Sequence, residues 1–154
     1  MIDSNIENLT EPFKSHFKYF LSDCQKAGLD VRMGEGKREP VTQLLYFLQG
    51  RISTFFGENK NLLAEYHALR KRVGLFAVSD SEAISKKITW TLNSNHFNGN
   101  AADVLVYIDG KVNWNPGDAV WEQIAVIAEK NGLNSGHRWP APKQDSPHIE
   151  LKGI

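Results

Sequence analysis

The sequence has one cysteine, Cys24, in 154 residues. A lone thiol excludes a disulfide framework and a cysteine-based zinc site, so any metal must be held by histidine and carboxylate. Long apolar runs are missing as well. No stretch approaches the roughly 18 apolar residues of a membrane span. The opening stretch MIDSNIENLTEPFKSHF has no basic region followed by an apolar core, so no signal peptide is expected and the chain is read as made and folded in a cytoplasm. Neither sign of charge is in excess, with 18 Lys and Arg against 18 Asp and Glu. That balance argues against a broad nucleic-acid-binding face. Repeats and low-complexity linkers are also lacking. What remains is an ordinary globular composition, 41% hydrophobic and 23% charged, of a length that favours one domain over residues 1–154.

The periodicities alternate between helix and strand. Ile6, Leu9, Phe13, Phe17, Phe20, Leu21 and Cys24 recur at helical spacing, which predicts a helix over 5–27 stopped by Gly28, with Cys24 as a buried, inert thiol. DVRMGEGKREP reads as a short strand entering a loop, Thr42 to Leu48 as a helix, and NKNLLAEYHALRKRVGL as another, its RKR cluster a solvated face. KKITWTL alternates as a half-buried strand does. DVLVYIDGKVNW is a hairpin pattern around Asp109-Gly110. GDAVWEQIAVIAEKNGL is a helix ending at Gly132, and His148 to Leu151 a final short strand. The expected class is α+β: a small single domain with an antiparallel sheet packed by helices.

Of five histidines, His16 and His67 fall within helical patterns and read as surface or packing residues. His96, His137 and His148 lie in loops or at strand ends. His96 and Asp103 flank a bend in SNHFNGNAAD, where Asn98 and Gly99 let the chain turn. Ala101 and Ala102 are expected to leave the approach uncrowded. A catalytic zinc commonly takes three His and carboxylate ligands and keeps a fourth position open. His96, Asp103 and His148 supply such a set, at the sheet face. Asp145, three residues before His148 in DSPH, is held in an extended or turned segment by Pro147. There it could take a proton from an attacking water. On spacing alone, a metal site and a scatter of unrelated loop polar residues both remain open.

SNHFNGNAAD and DSPHIEL together resemble the two motifs of the peptidoglycan-cleaving zinc peptidases of the D-Ala-D-Ala carboxypeptidase superfamily. The similarity is nearest to the L-alanyl-D-glutamate endopeptidases of phage lysins and related bacterial wall enzymes. The first motif, Ser-x-His-x-x-Gly-x-Ala-x-Asp, falls on Ser94, His96, Gly99, Ala101 and Asp103. The second falls on Asp145, Pro147, His148 and Glu150, with Ile149 in place of an aromatic. A looser patch falls on Arg38, Gln43, Leu45, Tyr46, Gly50 and Arg51, and GLNSGHRW resembles the family's Gly/Trp segment. Asn95 stands where many members carry Trp, His137 and Arg138 where acidic or small residues are common, and the stretch 57–88 is longer than in compact members.

The resemblance implies a zinc peptidase that cuts the peptidoglycan stem peptide. His96, Asp103 and His148 would bind Zn2+, and Asp145 would be general base and then acid. Arg38 would face the scissile carbonyl and stabilise an oxyanion, against the alternative of a surface arginine. Ser94 and Gln43 would contact substrate, although Gln43 and Tyr46 also suit helix packing or support of the site. Glu150 is expected to alternate away from His148 along its strand, and either to support the site from behind the ligands or to face solvent. A D,D- or L,D-carboxypeptidase or dipeptidase of the same fold, and a zinc-binding module without activity, are the alternatives. The expected partner is the stem peptide, with no nucleic acid, no membrane and no second subunit. The expected setting is a lysin held in the host cytoplasm until it reaches the wall, with no separate wall-binding domain.

Overall fold

The N-terminal apolar stripe forms its helix later than its spacing predicts. Pro12 has no N–H, and a residue before proline is pushed out of the α region. Helix α1 therefore runs over Phe13–Lys26, and a single 3-10 turn covers Ile6–Asn8. The computed structural model describes residues 2–57, 59–115 and 117–153. They fall into two units: one of Ile2 with residues 38–94, the other of Asp3–Lys37 with the described chain from Asn95 onward.

The second unit holds the sheet. Strands β1 (Asp30–Glu35), β2 (Ala101–Ile108), β3 (Lys111–Val112), β4 (Leu133–Ser135) and β5 (His148–Leu151) pair antiparallel in the order β1-β2-β5-β4, with β3 hairpinned onto β2. The hairpin turn is the Asp109-Gly110 pair, both at positive φ (51° and 73°), as a two-residue turn of right-handed twist demands. Helix α6 (Ala119–Lys130) begins on an Asp118 cap that accepts from the Val120 N–H.

Side chains alternate across a strand, and this divides the sheet. Ala102, Val104 and Val106 of β2 and Ile149 of β5 face the core. There they meet Phe13, Phe17, Phe20 and Cys24 of α1 and Val120, Trp121, Ile124 and Ala128 of α6. The three α1 phenylalanines are wholly buried. Each such side chain stabilises the fold by about 1.5–3 kcal/mol through its removal from water. Burial also pushes the Cys24 thiol up to about 12, in keeping with the inert thiol expected. The odd-numbered residues of β2, Asp103 among them, occupy the opposite face.

The first unit is helical: α2 (Pro40–Leu48), α3 (Ile52–Phe56), α4 (Lys60–Arg72) and α5 (Asp80–Ser85). Its core gathers Leu45, Ile52, Tyr66, Leu75 and Ala83. Helix α5 starts with a capping box in which Ser79 and Glu82 satisfy each other's backbone N–H groups. Two expectations fail here. KKITWTL pairs with no strand. Its polar groups are met instead by the Gln43 amide, which donates to Thr91 O (2.6 Å) and Thr89 Oγ1 (3.2 Å). The RKR cluster is not all solvated. Arg70 is 4% exposed, stacks near Tyr66, and donates to Gln49, the Tyr66 hydroxyl and the Phe76 carbonyl. Among the described residues no helix is long and apolar enough to cross a membrane. Helices and an antiparallel sheet make the class α+β, as the sequence predicts.

Candidate metal centre

Asp103 of β2 and His148 of β5 are paired in register, so their side chains leave the same face of the sheet side by side. His96 reaches this pair from a 3-10 turn, Asn95–Asn98. The turn is fastened from below. Thr10 donates its hydroxyl to the Asn98 carbonyl (2.6 Å) and its N–H to the Gly99 carbonyl (3.0 Å). Gly99 has φ +68°, and a Cβ there would lie 2.8 Å from Thr10 Oγ1, so the bend requires glycine.

Three donor atoms converge. His96 Nε2 is 3.2 Å from His148 Nδ1 and 3.4 Å from Asp103 Oδ1, and His148 Nδ1 is 3.3 Å from Asp103 Oδ1. Zinc bonds of about 2.0–2.1 Å at tetrahedral angles separate neighbouring ligand atoms by about 3.3–3.4 Å. The triangle therefore has the spacing of one face of a zinc tetrahedron, and its donor set of two imidazoles and a carboxylate suits the ion. His96 and His148 are buried, and Asp103 is partly so.

The remaining ring nitrogens fix the tautomers. His96 Nδ1 lies 2.6 Å from the Gly36 carbonyl, which can only accept, so Nδ1 carries the proton and Nε2 offers its lone pair to the centre. His148 Nε2 lies 3.1 Å from Glu150 Oε2 and donates to it, which leaves Nδ1 for the centre. Glu150 is itself steadied by the Asn95 amide, which donates at 2.8 Å. Such outer partners orient metal-binding imidazoles and raise their basicity. Glu150 thus does not alternate away from His148. Residues two apart on a strand share a face, and the two side chains touch. Asn95, a departure from the motif in sequence, is the residue that holds Glu150.

The charges fit the same picture. Burial disfavours the Asp103 carboxylate, but the His96 and His148 rings beside it prevail and hold it well below the usual carboxylate range. Burial likewise works against a charged His148. Hydrogen bonds to Asp103 and Glu150 and the nearby charge of Asp145 outweigh it and push His148 up to about 9. Without a cation among them, these carboxylates keep a proton on the imidazole.

Asp145 is partly buried on the turn that precedes β5, closed by the His148 N–H donating to the Asp145 carbonyl (3.1 Å). His137 does not join the donor triangle. It is bonded to Ser146. Ala102 does not flank the approach either, since it faces the helices, whereas Ala101 lies opposite Glu150 on the metal side. In the helical unit Arg38 is not a surface residue. It is 8% exposed, donates to Gln43 Oε1 (2.7 Å) and lies over the Tyr46 ring (4.8 Å). Gln43 is 1% exposed, with its oxygen taken by Arg38 and its nitrogen by Thr89 and Thr91. That arrangement replaces the expected substrate contact of Gln43 with the holding of Arg38. Ser94 is half-buried at the end of the same unit.

Residues 87–151 match the sequence profile of a family described as D-alanyl-D-alanine carboxypeptidase. Solved structures share the fold. ChiX, an L-Ala D-Glu endopeptidase of Serratia marcescens, is 19% identical, over 96% of this chain and 83% of its own, with a TM-score of 0.57. VanYB, solved in complex with D-alanine-D-alanine, is 16% identical over 100% of this chain and 78% of its own, with a TM-score of 0.56. A VanY D,D-pentapeptidase variant solved with Zn(II) is 17% identical over 100% and 79%, also at 0.56. A comparison with curated proteins gives no match. The fold shared with these structures and the profile match over 87–151 agree with the resemblance read from the two motifs. The matched segment contains His96, Asp103, Asp145 and His148, and leaves Arg38 and Gln43 outside it.

Proposed function

We propose that this protein is a zinc-dependent peptidase that hydrolyses the stem peptide of bacterial peptidoglycan, with L-alanyl-D-glutamate endopeptidase activity. The observation that carries the reading is the donor triangle, spaced for zinc, with a carboxylate three residues ahead of one ligand. A zinc ion held by His96, Asp103 and His148 would supply Lewis-acid polarisation of the scissile carbonyl. Asp145 accepts a proton from the attacking water and then delivers it to the leaving amine nitrogen as the C–N bond breaks. The carbonyl of Gly36 and the carboxylate of Glu150 keep the two imidazoles in the tautomers that the metal needs. Arg38, fixed by Gln43, keeps the oxyanion role that the motif resemblance implies. A lysin role, with a stay in the host cytoplasm before release to the wall, belongs to the same proposal.

The endopeptidase assignment is supported by ChiX, an L-Ala D-Glu endopeptidase of which the chain covers 83%. A D,D-carboxypeptidase is the second reading, favoured by the family's description and by VanYB, which was solved with D-alanine-D-alanine. Mass spectrometry of fragments released from purified peptidoglycan separates the two. Stem peptides with a new N-terminal glutamate identify the endopeptidase, and free D-alanine identifies the carboxypeptidase. Intact peptidoglycan after incubation with the zinc-loaded protein would contradict both.

A further inference from the structure

The turn that carries Asp145 is tied on each side to one short segment, Gly136–His137. The Asp145 N–H donates to the Gly136 carbonyl (3.0 Å). The preceding residue, Gln144, donates its amide to the His137 carbonyl (2.9 Å). The following residue, Ser146, is 5% exposed, and its hydroxyl lies 2.9 Å from His137 Nδ1. The other ring nitrogen of His137 faces the Glu122 carboxylate at 3.9 Å. That environment favours the proton on Nε2, so Nδ1 accepts from the Ser146 hydroxyl. The segment is held in turn on α6, where Arg138 pairs with both Glu122 and Glu129. Gly136 fits so closely that a Cβ there would lie 2.3 Å from the Asp145 carbonyl oxygen and 3.0 Å from His148 Cβ.

We infer that His137 and Ser146 are positioning residues that fix the Asp145 carboxylate for proton transfer, through a clamp anchored on α6. The inference rests on the peptidase reading, in which Asp145 is the base. His137 touches none of the three donor atoms, so its part is separable from metal binding. A base must stay within hydrogen-bond reach of the water it deprotonates. A displacement of about 1 Å in such a group can cost on the order of a hundredfold in rate. Three bonds to the residues at 144, 145 and 146 remove the freedom that a Pro-bounded turn would otherwise keep.

The test compares zinc-loaded wild type with His137→Ala, Ser146→Ala, the double variant and His137→Asn, whose short amide can still accept from Ser146. Each alanine variant is expected to lose roughly ten- to a hundredfold in kcat on a stem peptide, with KM and zinc content unchanged. The double variant should be no worse than the poorer single, and His137→Asn should recover most of the rate. Hydrogen exchange at the Asp145 and His148 amides should quicken in the alanine variants and not in His137→Asn. Unchanged kcat in His137→Ala, or loss of zinc together with rate, would overturn the inference. The exchange measurement stands even if the wild type cleaves no stem peptide. Unaltered exchange in that case refutes the clamp as well as the enzyme, whereas quickened exchange refutes the enzyme alone.

Discussion

Asp103 and His148 face each other across β2 and β5, with Asp103 Oδ1 3.3 Å from His148 Nδ1. Two motifs far apart in sequence are thereby joined by strand register. A one-residue slip of β5 would send His148 into the core and Ile149 onto the metal face. Ile149 and Ala102, buried directly beneath, lock the register by packing against α1 and α6.

The packing can be tested far from the site. Phe17 is fully buried between Phe13 and Phe20, with ring centroids at 5.3 and 5.6 Å. Phe17→Ala should destabilise the fold by about 3–5 kcal/mol, read as a lower urea midpoint. An unchanged midpoint would show that α1 does not hold the sheet.

Glu150 provides a test of the support around the ligands. Glu150→Ala removes the acceptor on His148 Nε2 and should weaken zinc binding roughly 10–100-fold, measured by competition with a chelator. Glu150→Gln retains an acceptor oxygen and should lose less. Equal affinity in wild type and both variants would return Glu150 to an incidental role.

Much of the centre was legible in the sequence, because its three donor residues sit in compact motifs around a glycine bend and a proline turn. His96, Asp103 and His148 could be chosen from residue type and spacing once the motifs were matched. Glu150 was misplaced by an error of parity, since alternation by one residue carries positions 148 and 150 to the same face. The burial of Arg38, Gln43 and Arg70 was not legible. Each looks polar in sequence, and only tertiary packing shows that carbonyls, amides and aromatic rings satisfy it. KKITWTL alternates like a strand, yet alternation cannot supply the partner strand that a ladder needs. The His137–Ser146 bond had no sequence signal beyond two polar residues in neighbouring loops.

Proton release follows from His148. In the metal-free protein its imidazole, pushed up to about 9, is charged at neutral pH, whereas zinc requires the neutral ring. Asp103 is already ionised and releases nothing. Calorimetry at pH 7.5 in buffers of different ionisation enthalpy should find about one proton released per zinc. Apparent affinity should rise about tenfold per pH unit below about 9 and level off above it. A binding enthalpy independent of buffer would contradict this assignment.

Asp145→Asn keeps the shape of the side chain and removes the carboxylate that the proposed mechanism uses as base. The variant should bind zinc as the wild type does and lose roughly 10²–10⁴-fold in kcat. Loss of zinc would make Asp145 a ligand. Retained turnover would place the base elsewhere.

His96, Asp103 and His148 together form a candidate zinc centre on the sheet face. The most direct measurement is anomalous diffraction at the zinc edge from crystals of the zinc-loaded protein. One strong peak per chain is expected, within about 2.0–2.1 Å of His96 Nε2, His148 Nδ1 and a carboxylate oxygen of Asp103. A protein that binds zinc with no peak at that triangle, or with the peak on His137 instead, would contradict it.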